Sequence, residues 1–253
     1  MWSRNTRDLA RVVPVMQIEI WSDVVCPWCY IGTSRLETAL AGFEHRDDVE
    51  VVYRSFQLDP SAPQVPDGTV VEMLARKYAG GDVAAARQMI AQTEAVAAEE
   101  GLVFDHGAAP HVSTVDAHRL LQLALDAAGP QVQRTLKREL LAAYFTRAEN
   151  VADHALLQAL GEKVGLDPER VAAVLASSEY AAEVDRDGRD AAALGATGVP
   201  FFVIDRRYGV AGAQPAEVFG QVLDRAWAES HPLLDVVAGG GDAQECGPDG
   251  CPI

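Results

Sequence analysis

The sequence predicts an α/β fold in which a small strand–helix–strand unit is separated from a closing hairpin by a long all-helical insertion. Three observations predict it. Short strand patterns occupy residues 16–60 and return at 196–231. Helical periodicity, rich in Ala, Leu, Glu, Gln and Arg, fills 61–195. Cys26-Pro-Trp-Cys29 stands where the first strand pattern gives way to the first helical one.

The elements follow in order. Gln17-Ile-Glu-Ile-Trp-Ser22 alternates polar and apolar residues and predicts a short strand, with Trp21 packed in it. Ile31, Leu36, Leu40 and Phe43 then fall on one helical face, and Gly42 is placed to stop that helix. Val49 to Phe56 is a second strand, and Pro60, Pro63, Pro66 and Gly68 mark a loop. Breakers at Gly80-Gly81, Gly101, Gly129-Pro130, Gly165 and Asp167-Pro168 divide the insertion into about seven helices. Ser113, with Asp116 three residues on, is expected to cap the helix that carries His118. Gly198 to Ile204 is an apolar strand, Asp205 to Gly209 a turn and Val210 to Gly212 its return. A last helix runs from Pro215 to Ser230, with the proline in its first turn. Residues 1–15 read as a disordered extension. Residues 232–253 read as a flexible Gly-rich tail ending in Cys246-Gly-Pro-Asp-Gly-Cys251.

Charge narrows the partners. The 253 residues carry 37 Asp and Glu against 21 Lys and Arg, a formal net charge of −16. Such a surface repels phosphate backbones and anionic lipids, so neither nucleic acid nor membrane is an expected partner. No apolar run approaches the roughly 18–20 residues of a membrane span. Arg4, Arg7 and Arg11 are not followed by the apolar stretch of a secretion signal, so a cytoplasmic location is expected. The four cysteines form two close pairs at opposite ends, Cys26 with Cys29 and Cys246 with Cys251. In a reducing compartment that usage points to redox chemistry or a metal, not to a structural framework.

The position of Cys26 carries the chemistry. A helix N-terminus favours an anion, which predicts a stabilised Cys26 thiolate able to attack a disulfide. Cys29, one turn inward, is placed to resolve the mixed disulfide. Pro27 offers no N–H to the sulfur and Trp28 no charge, so a moderate oxidant is expected, with Trp28 exposed beside the site. His118 reads as a helix-packing group. The histidines lack metal-ligand spacing, and no cofactor or metal is called for.

Val199-Pro200, just before the apolar strand, completes a pattern that resembles the thioredoxin superfamily. The resemblance narrows to the DsbA-family FrnE-like oxidoreductases, related to kappa-class glutathione transferases and 2-hydroxychromene-2-carboxylate isomerases. It is carried by Trp21-Ser-Asp-Val-Val-Cys-Pro-Trp-Cys-Tyr-Ile-Gly32, Arg54-Ser-Phe-Gln-Leu58, Ala117-His-Arg-Leu120, Ala143-Tyr-Phe145 and Gly198-Val-Pro-Phe-Phe202, and spans about 16–231. It implies a thioredoxin-like fold at 16–60 and 196–231, with 61–195 inserted. It also implies a cis Pro200 facing the cysteines, and Val199 backbone groups offered to a substrate peptide. Cys26 and Pro200 are expected to be exposed in the groove between the two parts.

The leading function is thiol–disulfide oxidoreductase or isomerase, acting on protein or small-molecule thiols and disulfides, glutathione among them. Cys246 and Cys251 are a candidate redox relay to the first pair. One alternative is a glutathione-dependent isomerase or transferase of a small aromatic metabolite. A second is a zinc-binding module built from all four cysteines.

Overall fold

The computed structural model describes residues 16–231. The expected N-terminal extension and the C-terminal tail, with Cys246 and Cys251, lie outside the described residues. The chain runs β1 (Met16–Ser22), α1 (Pro27–Gly42), β2 (Val49–Ser55), α2 (Val70–Tyr78), α3 (Val83–Glu99), α4 (Val115–Ala128) and α5 (Pro130–Phe145). It continues through α6 (His154–Lys163), α7 (Pro168–Leu175), α8 (Ala181–Ala193), β3 (Phe201–Ile204), β4 (Tyr208–Ala211) and α9 (Ala216–Ser230). This is the α/β thioredoxin-like arrangement with a helical insertion that the sequence predicts. Among the described residues, no helix is long and apolar enough to cross a membrane.

The sheet has the order β2-β1-β3-β4. β1 and β2 are parallel, as a helical crossover requires, and pair Ile18 with Val51. β3 runs antiparallel to β1 and pairs Phe202 with Ile20. β4 returns through a tight turn with positive φ at Asp205 and Arg206, the sense that suits strand twist.

Both sheet faces are covered. On one, Ile18, Ile20 and Phe202 meet Leu36 and Leu40 of α1 and Phe219 and Leu223 of α9. On the other, Trp21, Phe201 and Val203 meet Ala191 of α8, and the indole N–H of Trp21 donates to the Asp187 carbonyl at 2.8 Å. The alternation in β1 predicts a polar face, but Glu19 is 1% exposed. Its carboxylate is compensated by Arg54 at 2.8 Å and Arg206 at 2.6 Å, as a buried charge must be.

The insertion also seals the sheet. β2 is an edge strand, and such edges invite unwanted pairing. Gln133 of α5 accepts from the Tyr53 amide at 2.8 Å and donates to the Tyr53 carbonyl at 2.9 Å. Asp187 of α8 accepts from the Ser55 amide at 2.8 Å. The long helical core behind them, from Leu120 and Leu140 to Val174, is continuous with Val24 and Ile31 beside the cysteines.

One expected cap differs. α4 begins after Thr114, and Ser113 reaches only the Val115 amide, at 3.4 Å. Asp116 turns instead to Arg119 at 2.6 Å and His154 at 2.8 Å. Ion pairing outcompetes the capping box here.

Gly32 lets α1 settle on the hairpin. A Cβ there would lie 3.0 Å from Pro200 Cγ and 3.3 Å from Ala213 Cα. Gly32→Val should therefore destabilise the fold by about 1–3 kcal/mol through overpacking. Gly42→Ala, on the same helix with nothing within 4 Å, should be close to neutral. Urea midpoints of the two variants check the contrast.

Candidate active site

The end of β1 delivers Cys26 to the N-cap of α1. Its Sγ accepts from the Cys29 amide at 3.3 Å, as a helix N-terminus permits. The Cys26 thiol also faces the Val199 carbonyl at 3.8 Å. The Val199–Pro200 peptide is cis. The structure thus brings Cys26, Cys29 and Val199 together. Trp28 stands in solvent, 43% exposed.

The expectation that the groove exposes Cys26 and Pro200 needs correction. Cys26 is 3% exposed and Cys29 0%. Pro200 is buried. The Val199 loop and α1 close over the pair, so Cys26 is reached through one cavity whose wall it joins with Pro27, Trp28 and Val199.

Beneath the cysteines lies a buried polar cluster. Asp23, 1% exposed, accepts from the Val24 amide at 2.7 Å and from the Leu58 amide at 2.8 Å. Its Oδ1 meets His118 Nε2 at 3.2 Å. His118 does pack in the helical layer, yet against this carboxylate and not against an apolar face alone. Lys137 of α5 is fully buried, donates to the Ser22 carbonyl at 3.3 Å and lies over the Tyr53 ring.

These groups set the thiol acidity, and they reverse the sequence expectation. Cys26 is pushed well above the ordinary thiol value by its hydrogen bond to Cys29, by burial and by the charge of Cys29. Cys29 is held below it. Burial opposes its ionisation, but the Cys26 hydrogen bond, the Lys137 charge and the Ser22 hydroxyl together prevail. The two thiols therefore ionise as a pair, with Lys137 favouring the charge on the Cys29 side. The Cys29 hydrogen bond, burial, the charge of Cys29 and the nearby Asp23 carboxylate together outweigh the Cys29 amide that the helix N-terminus offers to Cys26. Burial in turn lowers Lys137 to about 8, against the opposing pull of Cys29 and Asp23. Asp23 lies below the ordinary carboxylate value: burial raises it, and His118, the Leu58 amide and Lys137 outweigh that.

A family model described as "DSBA-like thioredoxin domain" matches residues 17–224. The chain belongs to that family. A probable DsbA oxidoreductase from Streptomyces coelicolor is 48% identical to it, with a TM-score of 0.79 over 94% of this chain and 99% of the other. The cytosolic disulfide reductase DsbM from Pseudomonas aeruginosa shares the fold at 19% identity, with a TM-score of 0.57 over 85% and 97%. A 2-hydroxychromene-2-carboxylate isomerase shares it at 13% identity, with a TM-score of 0.58 over 84% and 97%.

In this DsbA-like chain the site residues that sequence reasoning missed are Asp23 and Lys137. Lys137 left a signal. It falls on the stripe Gln133, Leu136, Lys137, Leu140, Leu141 and Tyr144, all buried in α5, where an unpaired lysine is out of place. Nothing local tells that this stripe faces Cys29. Among the described residues, no three His, Cys, Asp or Glu side chains are grouped to hold a metal ion.

Two outcomes follow from this electrostatics. Lys137→Met removes the positive charge that favours the thiolate. The first ionisation of the reduced pair should then move up by about one pH unit, read from thiolate ultraviolet absorbance against pH. An unchanged titration would remove Lys137 from the site. Asp23→Asn should lose about 1.5–3 kcal/mol of stability at pH 7, the range for hydrogen bonds to a charged group. The native pKa of Asp23 is depressed, so its contribution is complete above the unfolded value and lost as pH falls through the native one. The stability gap between wild type and variant should therefore shrink from about pH 5 to pH 2. Urea unfolding across that range measures it.

Proposed function

We propose that the chain is a thiol–disulfide oxidoreductase in which Cys26 exchanges with the substrate and Cys29 resolves. The observation that supports it best is the asymmetry of the pair. Cys26 borders the cavity, while Cys29 is sealed and sits in the field of Lys137.

The chemistry needs one proton shift and two exchanges. Cys26 passes its proton along the hydrogen bond to the Cys29 sulfur and becomes the thiolate. That thiolate attacks one sulfur of a substrate disulfide. An S–S bond forms to Cys26, the substrate S–S bond breaks and a thiolate leaves, taking up a proton. Cys29 loses its proton again, which Lys137 favours, and attacks Cys26. The Cys26–Cys29 disulfide forms and the second substrate thiol departs. Two electrons pass from protein to substrate, and the reverse order oxidises a substrate dithiol. Pro27 withholds an amide from the Cys26 sulfur and Trp28 adds no charge. Val199 lines the approach, and its carbonyl holds the Cys26 thiol until a substrate displaces it.

The test is a trap. Reduced protein is mixed with a peptide disulfide and quenched by acid. Cys29→Ser should accumulate a mixed disulfide mapped by mass to Cys26, and Cys26→Ser should fall to the uncatalysed rate. Wild-type adducts that map to Cys29 alone, or full activity in Cys26→Ser, would overturn the assignment.

A further inference from the structure

The cavity at Cys26 is more than an opening. Its volume is about 380 Å³, within the roughly 300–1,000 Å³ of small-molecule sites. The wall comes from the start of α1, from α2 and α3, and from the loops around Leu58 and His106. Four large apolar side chains on it stay in solvent: Trp28 at 43%, Leu58 at 46%, Tyr78 at 61% and Met89 at 38%. One such residue is ordinary, whereas four around a single cavity mark a surface built for an apolar ligand.

The polar groups on the wall do not suit an anion. Among its lining residues Lys77 is the one lysine or arginine, and its ammonium faces Asp59 at 3.6 Å. Asp23 adds a second carboxylate. His111 is engaged by Asp67 at 2.9 Å. His106 is 3% exposed, and its Nδ1 has no hydrogen-bond partner among the described residues. Burial lowers its pKa to about 4, so at neutral pH it is polar but uncharged. A peptide-like thiol with two carboxylates, such as glutathione, would find no unpaired cation here. An uncharged aromatic ligand would cover Trp28, Tyr78 and Met89.

We infer that this cavity binds uncharged aromatic small-molecule disulfides and presents them to Cys26. The inference rests on the dithiol reading above and adds the substrate class. The reaction is balanced by the protein itself. Cys26 forms a bond to one ligand sulfur, the ligand S–S bond breaks and the first aryl thiol leaves. Cys29 then displaces the second, so the reduced dithiol becomes a disulfide and the ligand becomes two thiols.

The experiment uses the reduced full chain and three probes. 4,4′-Dithiodipyridine is a neutral aromatic disulfide, 5,5′-dithiobis(2-nitrobenzoate) an anionic one. Each rate is divided by that of free dithiothreitol, which removes intrinsic reactivity. 4-(Phenylthio)phenol is an aromatic thioether that cannot exchange, and its binding is followed by tryptophan fluorescence. The normalised rate should favour the neutral probe at least about tenfold, and the thioether should bind and compete with it. Met89→Glu and, separately, Tyr78→Glu should each raise KM for the neutral probe by about tenfold, the scale on which a hydrophobic pocket discriminates. Both sites are on the surface, and circular dichroism confirms folding. If both disulfides exchange at Cys26 without preference and the thioether does not bind, the substrate class is wrong while the dithiol reading stands. If the thioether binds but neither disulfide exchanges, the dithiol reading fails and takes the substrate assignment with it.

Discussion

The buried carboxylate of Asp23 is the constraint on which the site depends. It lies between the end of β1 and the start of α1, three residues before Cys26. Its two oxygens accept from Val24 and Leu58 and meet His118. One group therefore ties the strand–helix junction to the loop after β2 and to α4 of the insertion. A carboxylate so deep is tolerable only with all these partners in place. The position of Cys26 thus depends on contacts made by three separated parts of the chain.

The same geometry explains why the insertion is part of the chemistry. α5 brings Lys137 under the cysteines and Gln133 to the edge of β2. α8 brings Asp187 to β2 and to Trp21. The helices that support the sheet also supply the positive charge that balances the thiol pair. Asp23 disfavours a charge on Cys26, and Lys137 favours one on Cys29. The acidity of the pair is a property of the packed assembly and not of Cys-Pro-Trp-Cys alone.

Much of this was legible in the residues. The succession of strand, helix and strand, the helical insertion and the closing hairpin follow from patterns of period two and 3.6, which depend only on near neighbours along the chain. The helix start at Cys26 was legible for the same reason. Glu19 was not, because alternation in β1 reads the same whether its polar face meets water or paired arginines. Ser113 failed as a cap because Asp116 had a better partner, His154, 38 positions away. Lys137 stands on an apolar stripe of α5, but nothing local tells that this stripe faces Cys29.

The sequence by itself determined the fold class, the pairing of Cys26 with Cys29 and the nearness of Val199 and Pro200, since each rests on local periodicity or on family resemblance. Only the tertiary structure decided how burial and charge act on each sulfur, which one borders the cavity and what surrounds it. Those properties are sums over burial and charge from β1, α1, α4 and α5. Coulombic and desolvation energies depend on distance in space, and residues such as Asp23, His118 and Lys137 are far apart along the chain but adjacent once it folds.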